Sequence, residues 1–293
     1  MEWLKNFSKA IDYIEQNLDG DISYEEAANI ACCSTNYFQR MFAYVTGITL
    51  VEYIRRRRMT QAAFELQTKD IKVLDIAMKY RYTSPTAFNR AFQSVHGINP
   101  AMAKSQGCQL CAYPPIKFSI QIQGGSDMPY RVEEKAPMRI VGIRIPLTYD
   151  MDKNFKLIPS FWEQTKQSEM FYRILNLNNK LQKRVFGISI YNANDEVYYY
   201  IATETDKTVP EGMYEYEIPA SLWAVFESNG PLKESIQTIY KRFFTEWLPF
   251  SGYTYAEIAD VEVYPAYNEA TVSGYAEIWM SLKKEKERYR NGI

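Results

Sequence analysis

One segment of the chain occurs twice, and this repeat constrains the fold more than any other feature. Residues 34–47 (STNYFQRMFAYVTG) return at an offset of fifty as residues 84–97 (SPTAFNRAFQSVHG). Each copy has a Ser that can cap a helix, apolar residues spaced at i, i+4 and i+7, and a Gly just after the last turn. The repeat therefore predicts two short helices of the same build, each with an apolar face that packs on a core.

The opposite face of each predicted helix carries small polar side chains and arginine. Their donors and acceptors match base edges in the major groove of DNA, so we interpret both helices as recognition helices. The predicted DNA contacts on these faces are Asn36, Gln39, Arg40, Thr86, Asn89 and Arg90. For Arg40 and Arg90 a phosphate contact is an equally good interpretation, because phosphate and sugar receive half or more of such contacts.

The segments around the two copies predict further helices. They are residues 3–18, residues 24–31 after a Ser23–Glu26 capping box, residues 50–67, and a helix capped at residues 69–70 that ends at residue 79. These make about seven helices and two helix-turn-helix modules joined by a long helix. The long helix contains four consecutive arginines at 55–58. At most two of them can face DNA, and we assign Arg55 to the DNA-binding set.

Charge, cysteine content and hydropathy bear on the partners, the metal content and the location expected for the protein. The net charge is −1, and residues 1–106 have only a slight excess of basic residues, which does not by itself indicate a nucleic-acid partner. A zinc site would need all four cysteines to converge, and His96 is the sole histidine, so we expect no metal or cofactor. The chain shows no signal peptide and no membrane-spanning apolar run. We therefore expect a cytoplasmic protein with reduced thiols and no membrane partner.

Residues 1–105 resemble the DNA-binding domain of AraC/XylS-type transcription regulators along their whole length. The motifs that carry this resemblance are residues 34–42 with Gly47-Ile48, residues 53–59, Ile76-Ala77, residues 82–92 and residues 96–100. The resemblance implies a rigid linker helix that sets the two recognition helices in successive major grooves, about 34 Å apart. It also implies promoter DNA and RNA polymerase as partners. Pro85 stands where relatives often have a polar residue, so we expect weaker base readout by the second helix.

After residue 106 the pattern changes to strands. Residues 107–128 are predicted as a linker with a lead-in strand of alternating polarity, and residues 284–293 as a solvated charged tail. Between them the order strand, strand, helix, strand, strand occurs twice. The first half has strands at 130–134, 139–145, 185–191 and 197–204 with a helix starting at Pro159, and the second has strands at 213–218, 222–228, 259–264 and 274–282 with a helix at 231–247. This order predicts a duplicated antiparallel α+β domain with helices on one face of the sheet.

The last two predicted strands carry the candidate ligand chemistry. Alternation places Tyr275, Glu277 and Trp279 on one face of the last strand, and Glu262 and Tyr264 on one face of the strand before it. An unpaired carboxylate is costly in a core. Next to aromatic rings it suits a concave site, or cup, for a lipophilic cation, because the rings supply contact area and cation–π attraction and the carboxylate supplies the counter-charge. The alternative is a solvated outer face with exposed aromatic residues.

Residues 129–283 resemble the GyrI-like small-molecule-binding domain. The motifs that carry this resemblance are residues 223–231, 246–253, 261–264 and 276–282. The resemblance implies an aromatic cleft for lipophilic, often cationic compounds, with Glu262 as the acidic residue at its base. It implies a multidomain chain: an all-α domain with two helix-turn-helix modules, then an α+β duplicated GyrI-like (SHS2-type) domain. This architecture resembles the Rob-type regulators.

The leading hypothesis is a DNA-binding transcription regulator, an activator, whose C-terminal domain (129–283) binds a small-molecule effector. Two alternatives stay open. The C-terminal domain either serves as a protein-interaction module, or acts as a hydrolase with a pocket Glu that activates water. No Ser-His-Asp or Cys-His arrangement accompanies Glu262, so we expect a protein that is not an enzyme.

Overall fold

The computed structural model describes residues 2–117, 127–148, 151–180, 183–191, 196–265 and 274–284. The chain divides into two compact units, the helical unit Met1–Gln123 and the sheet unit Gly124–Ile293. The predicted lead-in strand from residue 118 onward and the charged tail after residue 284 lie outside the described residues. Among the helices described, none combines the length and the apolar character needed to cross a membrane.

The helical unit contains the two predicted helix-turn-helix modules. Its helices are α1 (Glu2–Gln16), α2 (Tyr24–Ile30), α3 (Thr35–Thr46), α4 (Leu50–Thr68), α5 (Val73–Lys79) and α6 (Pro85–His96), followed by a 3₁₀ turn at Met102–Lys104. The predicted caps are present: the Ser34 and Ser84 hydroxyls accept backbone N–H groups, and Gly47 and Gly97 end the recognition helices with φ of 74° and 75°.

The second module differs from the first by one residue in its turn. The Cys33 N–H donates to Ala28 O and the Tyr82 N–H donates to Ala77 O, so α2 and α5 are related by an offset of 49 residues, whereas α3 and α6 are related by 50. The helix that was expected to be capped at residues 69–70 begins at Val73 instead. The extra residue lies between Tyr82 and the cap of α6.

Residues 107–117, which we call the strap, pack on the helical unit rather than forming a free linker. Leu110 and Tyr113 contact its core. The Tyr113 N–H donates to Thr60 Oγ1 (3.1 Å), and the Ile116 N–H donates to the Tyr53 hydroxyl (3.2 Å). Side chains of α4 thus satisfy backbone donors of the strap. The helical unit therefore extends beyond the predicted boundary at residue 106.

The sheet unit has the predicted duplication. Its strands are β1 (Tyr130–Lys135), β2 (Met138–Pro146), β3 (Arg184–Tyr191), β4 (Val197–Glu204), β5 (Tyr214–Ile218), β6 (Ser221–Asn229), β7 (Tyr253–Pro265) and β8 (Tyr275–Lys284). They form one antiparallel sheet in the order β1-β6-β8-β7-β3-β4-β2-β5. If each of β1 to β4 changes places with its counterpart among β5 to β8 (β1 with β5, β2 with β6, and so on), the same order is obtained, read from the other edge of the sheet. The sheet therefore has an internal two-fold pattern with β3 and β7 at its centre.

The helices of the sheet unit pack on one face of the sheet, as predicted. They are α7 (Met151–Lys166) and α8 (Glu169–Leu177) in the first half, and α9 (Leu232–Arg242) with a π-helical turn at Phe243–Trp247 in the second. One prediction is wrong: Pro159 lies inside α7 instead of starting it. Proline has no backbone N–H, so one hydrogen bond of the helix is lost, and its ring crowds the carbonyl four residues earlier. A helix accommodates this by bending at the preceding turn.

His96 connects α6, α4 and the strap. It is buried at the end of α6, its Nε2 lies 3.0 Å from Met59 O, and its Nδ1 accepts the Cys111 N–H at 3.2 Å. A ring nitrogen that accepts an N–H carries no proton, so the ring is neutral with hydrogen on Nε2. Burial lowers the pKa of His96, although the contact with Met59 O acts in the opposite direction.

We expect His96 to make the helical unit less stable in mild acid. Because the pKa of His96 is lower in the folded state, the unfolded chain binds the proton more readily, and stability is lost as the pH falls below about 6.5. The free energy of unfolding, measured by urea at pH 7.5 and pH 5.5 for the wild type and His96→Gln, should fall more steeply for the wild type. Equal slopes for both proteins would contradict this role.

Candidate functional site

The predicted DNA-reading faces differ in their exposure. On α6, Thr86, Asn89 and Arg90 are exposed, on the side opposite to the buried Phe88 and Phe92. They therefore form one accessible polar face.

On α3 the equivalent face is less accessible. Asn36 is half-buried, and the exposed fractions of Gln39 and Arg40 are only 3% and 9%. The predicted face of α6 is therefore exposed to solvent. On α3, Gln39 and Arg40 are buried, contrary to the prediction that they face DNA from the surface. The DNA-binding role of all six residues stays a prediction.

The four arginines at 55–58 do not form an open basic patch. Their partners within the helical unit are Glu52 for Arg55 and Arg56, Glu15 for Arg57, and the carbonyls of Leu18 and Gly20 for Arg58. Arg55 remains 41% exposed at its side chain, and its ion pair with Glu52 keeps it on the surface of α4. A phosphate contact by Arg55 would therefore compete with Glu52.

Glu262 lies on the helix-covered face of β7, at the centre of the sheet. The Tyr199 hydroxyl (2.9 Å) and the Tyr264 hydroxyl (2.8 Å) both donate to its Oε2. Its Oε1 receives no hydrogen bond from the described residues, and the side chain is half-buried rather than fully enclosed. One carboxylate oxygen is thus held in place while the other can still accept.

The surroundings of Glu262 disfavour its charge. Burial raises the pKa of Glu262, the negative charge of nearby Asp260 raises it further, and the two tyrosine hydroxyls act in the opposite direction. The same burial, with the charge of Glu262, raises the pKa of Tyr199 and Tyr264 well above the ordinary value. Both tyrosines therefore keep their protons and remain donors.

Three residues of this site were not predicted. Tyr199 was assigned only to a strand. The indole of Trp162, on α7, donates to the Tyr199 hydroxyl (2.8 Å) and packs edge-to-face on Tyr264 at 5.2 Å between ring centres. Gly187 pairs with Glu262 across β3 and β7. A Cβ at residue 187 would overlap the Tyr199 hydroxyl and lie 2.7 Å from Glu262 Oε2. Glycine is thus required for the Tyr199–Glu262 hydrogen bond.

Asp260 is a second carboxylate on the same face of β7. It is buried, and it accepts the Tyr191 hydroxyl at 2.8 Å and the Tyr255 hydroxyl at 2.6 Å. Neither Asp260 nor Tyr191 was among the predicted site residues. The helix-covered face of β7 thus holds two carboxylates that are two residues apart, and each of them accepts hydrogen bonds from two tyrosines.

The five predicted ligand residues do not line one surface. In the pairing of β7 with β8, Val261 lies opposite Trp279 and Val263 lies opposite Glu277. Paired residues point to the same face, so Tyr275, Glu277 and Trp279 face away from Glu262 and Tyr264.

The cup around Glu277 and Trp279 already holds cations of the protein itself. Lys135 lies 4.0 Å from the centre of the Trp279 ring, and Arg131 donates to Glu277 at 2.6 Å. The Trp279 indole donates to Glu277 as well. The cations of β1 therefore already occupy this face. Of the two predicted carboxylates, Glu262 is the one that keeps an oxygen without a donor among the described residues.

Comparison with known proteins adds two matches. Residues 128–283 match the GyrI-like small molecule binding domain, and residues 27–106 match a helix-turn-helix domain. Among relatives, the chain is 43% identical over 89 residues to the transposon Tn10 TetD protein of Escherichia coli, a match that covers 30% of this chain and 64% of TetD.

Two further relatives are named as regulators of transcription. The chain is 39% identical over 95 residues to the HTH-type transcriptional activator AarP of Providencia stuartii, covering 32% of this chain and 70% of AarP. It is 35% identical over 108 residues to the transcriptional regulator Rob of Salmonella typhimurium, covering 36% and 37%. The chain thus spans less than two thirds of the length of TetD and of Rob.

We expect Gly187→Ala to break the Tyr199–Glu262 hydrogen bond. The added methyl group displaces the Tyr199 hydroxyl and overpacks the site, which typically costs about 1–3 kcal/mol. Urea unfolding of the sheet unit should show this loss, whereas the control Ser189→Ala, on the same strand and face, should change stability far less. Wild-type stability in Gly187→Ala would contradict the close approach.

Proposed function

The chain belongs to the GyrI-like small-molecule-binding family, and we propose that its sheet unit binds a lipophilic cation at Glu262 while its helical unit binds promoter DNA. The observation that carries the ligand proposal is the state of Glu262: one oxygen is fixed by Tyr199 and Tyr264, and the other is unoccupied by any described donor. Burial removes water from this carboxylate, which raises its pKa because the charged form is less well solvated. A bound cation would stabilise the charged form in place of that water.

The ligand class follows from the groups around that oxygen. Trp162 and Tyr264 offer aromatic surface, and Glu262 supplies the counter-charge. A small hydrated cation would have to lose its water to reach Glu262. A bulky cation with delocalised charge has little hydration to lose, so it suits the site better.

For the helical unit we propose sequence-specific binding to double-stranded DNA through α3 and α6, with Asn36, Gln39 and Arg40 on the first helix and Thr86, Asn89 and Arg90 on the second. Arg55 is proposed as an additional phosphate contact. AarP is named as an activator, which favours activation, with RNA polymerase as the partner, over repression.

A catalytic role for Glu262 is the weaker alternative. A general base must reach the proton that it removes, with a pKa near the working pH. Glu262 has a raised pKa, yet its neighbours Tyr199 and Tyr264 are donors bound to it, and relatives are named as regulators. We therefore propose a binding role.

We expect Glu262→Gln to weaken binding of tetraphenylphosphonium about tenfold or more, or about 1.4 kcal/mol, because the counter-charge is lost. Binding of neutral triphenylphosphine oxide should stay within about twofold. Isothermal titration calorimetry on the full chain measures both. Glu277→Gln, on the opposite face, is the matched control and should leave both affinities unchanged. Equal weakening of the two ligands in Glu262→Gln would exclude the counter-ion role.

The affinity for the cation should also rise with pH. A cation binds the ionised form of Glu262, and the raised pKa moves the competition with the proton to higher pH than for an ordinary glutamate, so raising the pH through that pKa removes the competing proton. Binding of the neutral ligand, titrated over the same range, should not follow this curve. A cation affinity that does not depend on pH would show that Glu262 is ionised throughout.

Arg90→Ala tests the DNA proposal at the exposed face of α6. If Arg90 reads a base, the substitution should cost about 1–3 kcal/mol and relax specificity at one position. If it contacts phosphate, all sequences should bind more weakly and the salt slope should become shallower by about one. Arg173→Ala, an exposed arginine of the sheet unit, is the control for net charge. No loss for any sequence would exclude both contacts.

A further inference from the structure

The first helix-turn-helix module contacts α4 through several groups, and one of them is a carboxylate on α1. Glu15 accepts the Tyr53 hydroxyl at 2.7 Å and both Nε and Nη2 of Arg57, at 2.9 and 2.7 Å. The Arg57 side chain is only 4% exposed. Two turns nearer the start of α1, Phe7 packs on Phe38 of α3, with ring centres 5.1 Å apart. Glu15 thus connects the first recognition helix to the N-terminal half of α4.

The second module packs on α4 through the apolar core and through His96, and a carboxylate of α4 itself adds a polar contact. Glu65 accepts Lys79 Nζ at 2.7 Å and the Tyr80 hydroxyl at 2.6 Å, both at the end of α5, and Lys69 Nζ at 2.9 Å. Burial alone would raise the pKa of Glu65, but these hydrogen bonds outweigh it and lower the pKa to about 2. Glu65 is therefore ionised at any physiological pH and holds the turn that leads into α6.

The two carboxylates act at different points of one helix. Tyr53 and Arg57 lie in the first half of the 19-residue α4 and Glu65 in its last turns. At 1.5 Å per residue, eight residues from Arg57 to Glu65 span about 12 Å. A rotation of either module about its contact would displace its recognition helix along DNA, where one base-pair step is only about 3.4 Å. The orientation of each module on α4 thus decides which half-site spacing fits.

We propose that Glu15 and Glu65 are positioning residues that set the spacing between the two DNA half-sites bound by α3 and α6. This inference rests on the proposed DNA binding of the helical unit. The two contacts differ in strength. Arg57 makes a buried two-pronged contact with Glu15, whereas Lys79, which donates to Glu65, is 35% exposed. Spacing errors should therefore arise first at the second module.

Glu65→Gln in the full chain is the main test, and Glu52→Gln is its matched control. Glu52 is also a carboxylate of α4, but its ion pairs with Arg55 and Arg56 stay within that helix. The preferred operator is first selected with wild-type protein from a random double-stranded DNA library. Operators with the half-site spacing changed by one and two base pairs are then compared with it by fluorescence anisotropy at constant salt.

We expect wild type and Glu52→Gln to prefer the selected spacing about tenfold or more over a change of one base pair. Glu65→Gln should reduce this preference at least fivefold. An equal loss of affinity at every spacing would overturn the inference, because a merely structural role predicts it. Lys79→Met removes one of the two α5 donors of Glu65, at a partly exposed position, and repeats the test if Glu65→Gln does not fold. If wild type enriches no sequence, the DNA-binding proposal itself fails.

Discussion

A carboxylate that leaves water must find donors inside the protein, and this constraint shapes both units of the chain. An uncompensated buried charge costs several kcal/mol, so each such group fixes the position of its donors. Here the donors are repeatedly tyrosine hydroxyls: Tyr53 on Glu15, Tyr80 on Glu65, Tyr199 and Tyr264 on Glu262, and Tyr191 and Tyr255 on Asp260. The 24 tyrosines of the chain therefore do more than fill cores.

The two recognition helices could be predicted because their signals are local. The caps at Ser34 and Ser84, the apolar spacing and the closing glycines all lie within one helix length of each other. The one-residue difference in the second turn could not be predicted. The two copies of the recognition helix align at an offset of fifty, and this alignment does not show that the preceding helices are offset by 49. The pairing of Arg57 and Arg58 depends on Glu15 and on carbonyls after α1, at a sequence separation that no helical pattern encodes.

In the sheet unit the strands could be predicted, but the grouping of the site residues could not. Alternation tells which residues of one strand share a face, whereas the register between two strands decides whether two such faces coincide. Here the β7–β8 pairing shifts between Tyr255 and Asp260, beside Glu257 with a φ of 55°. After this bulge, Val261 rather than Glu262 lies opposite Trp279. The internal cations of that face come from β1, more than 140 residues before β8, which adds a second long-range dependence.

The two-fold pattern of the sheet explains why one carboxylate at its centre is accessible. β3 and β7 are equivalent strands that lie side by side, so a carboxylate on both at the central pair would place like charges opposite each other, which is destabilising. The pair is instead Gly187 and Glu262. The missing side chain at residue 187 leaves the volume that the Tyr199 hydroxyl occupies, so the first half of the domain supplies one donor, and the second half supplies the carboxylate and the second donor, Tyr264. At this central pair the two halves of the duplicated domain differ, and we therefore propose one binding position here rather than two equivalent ones.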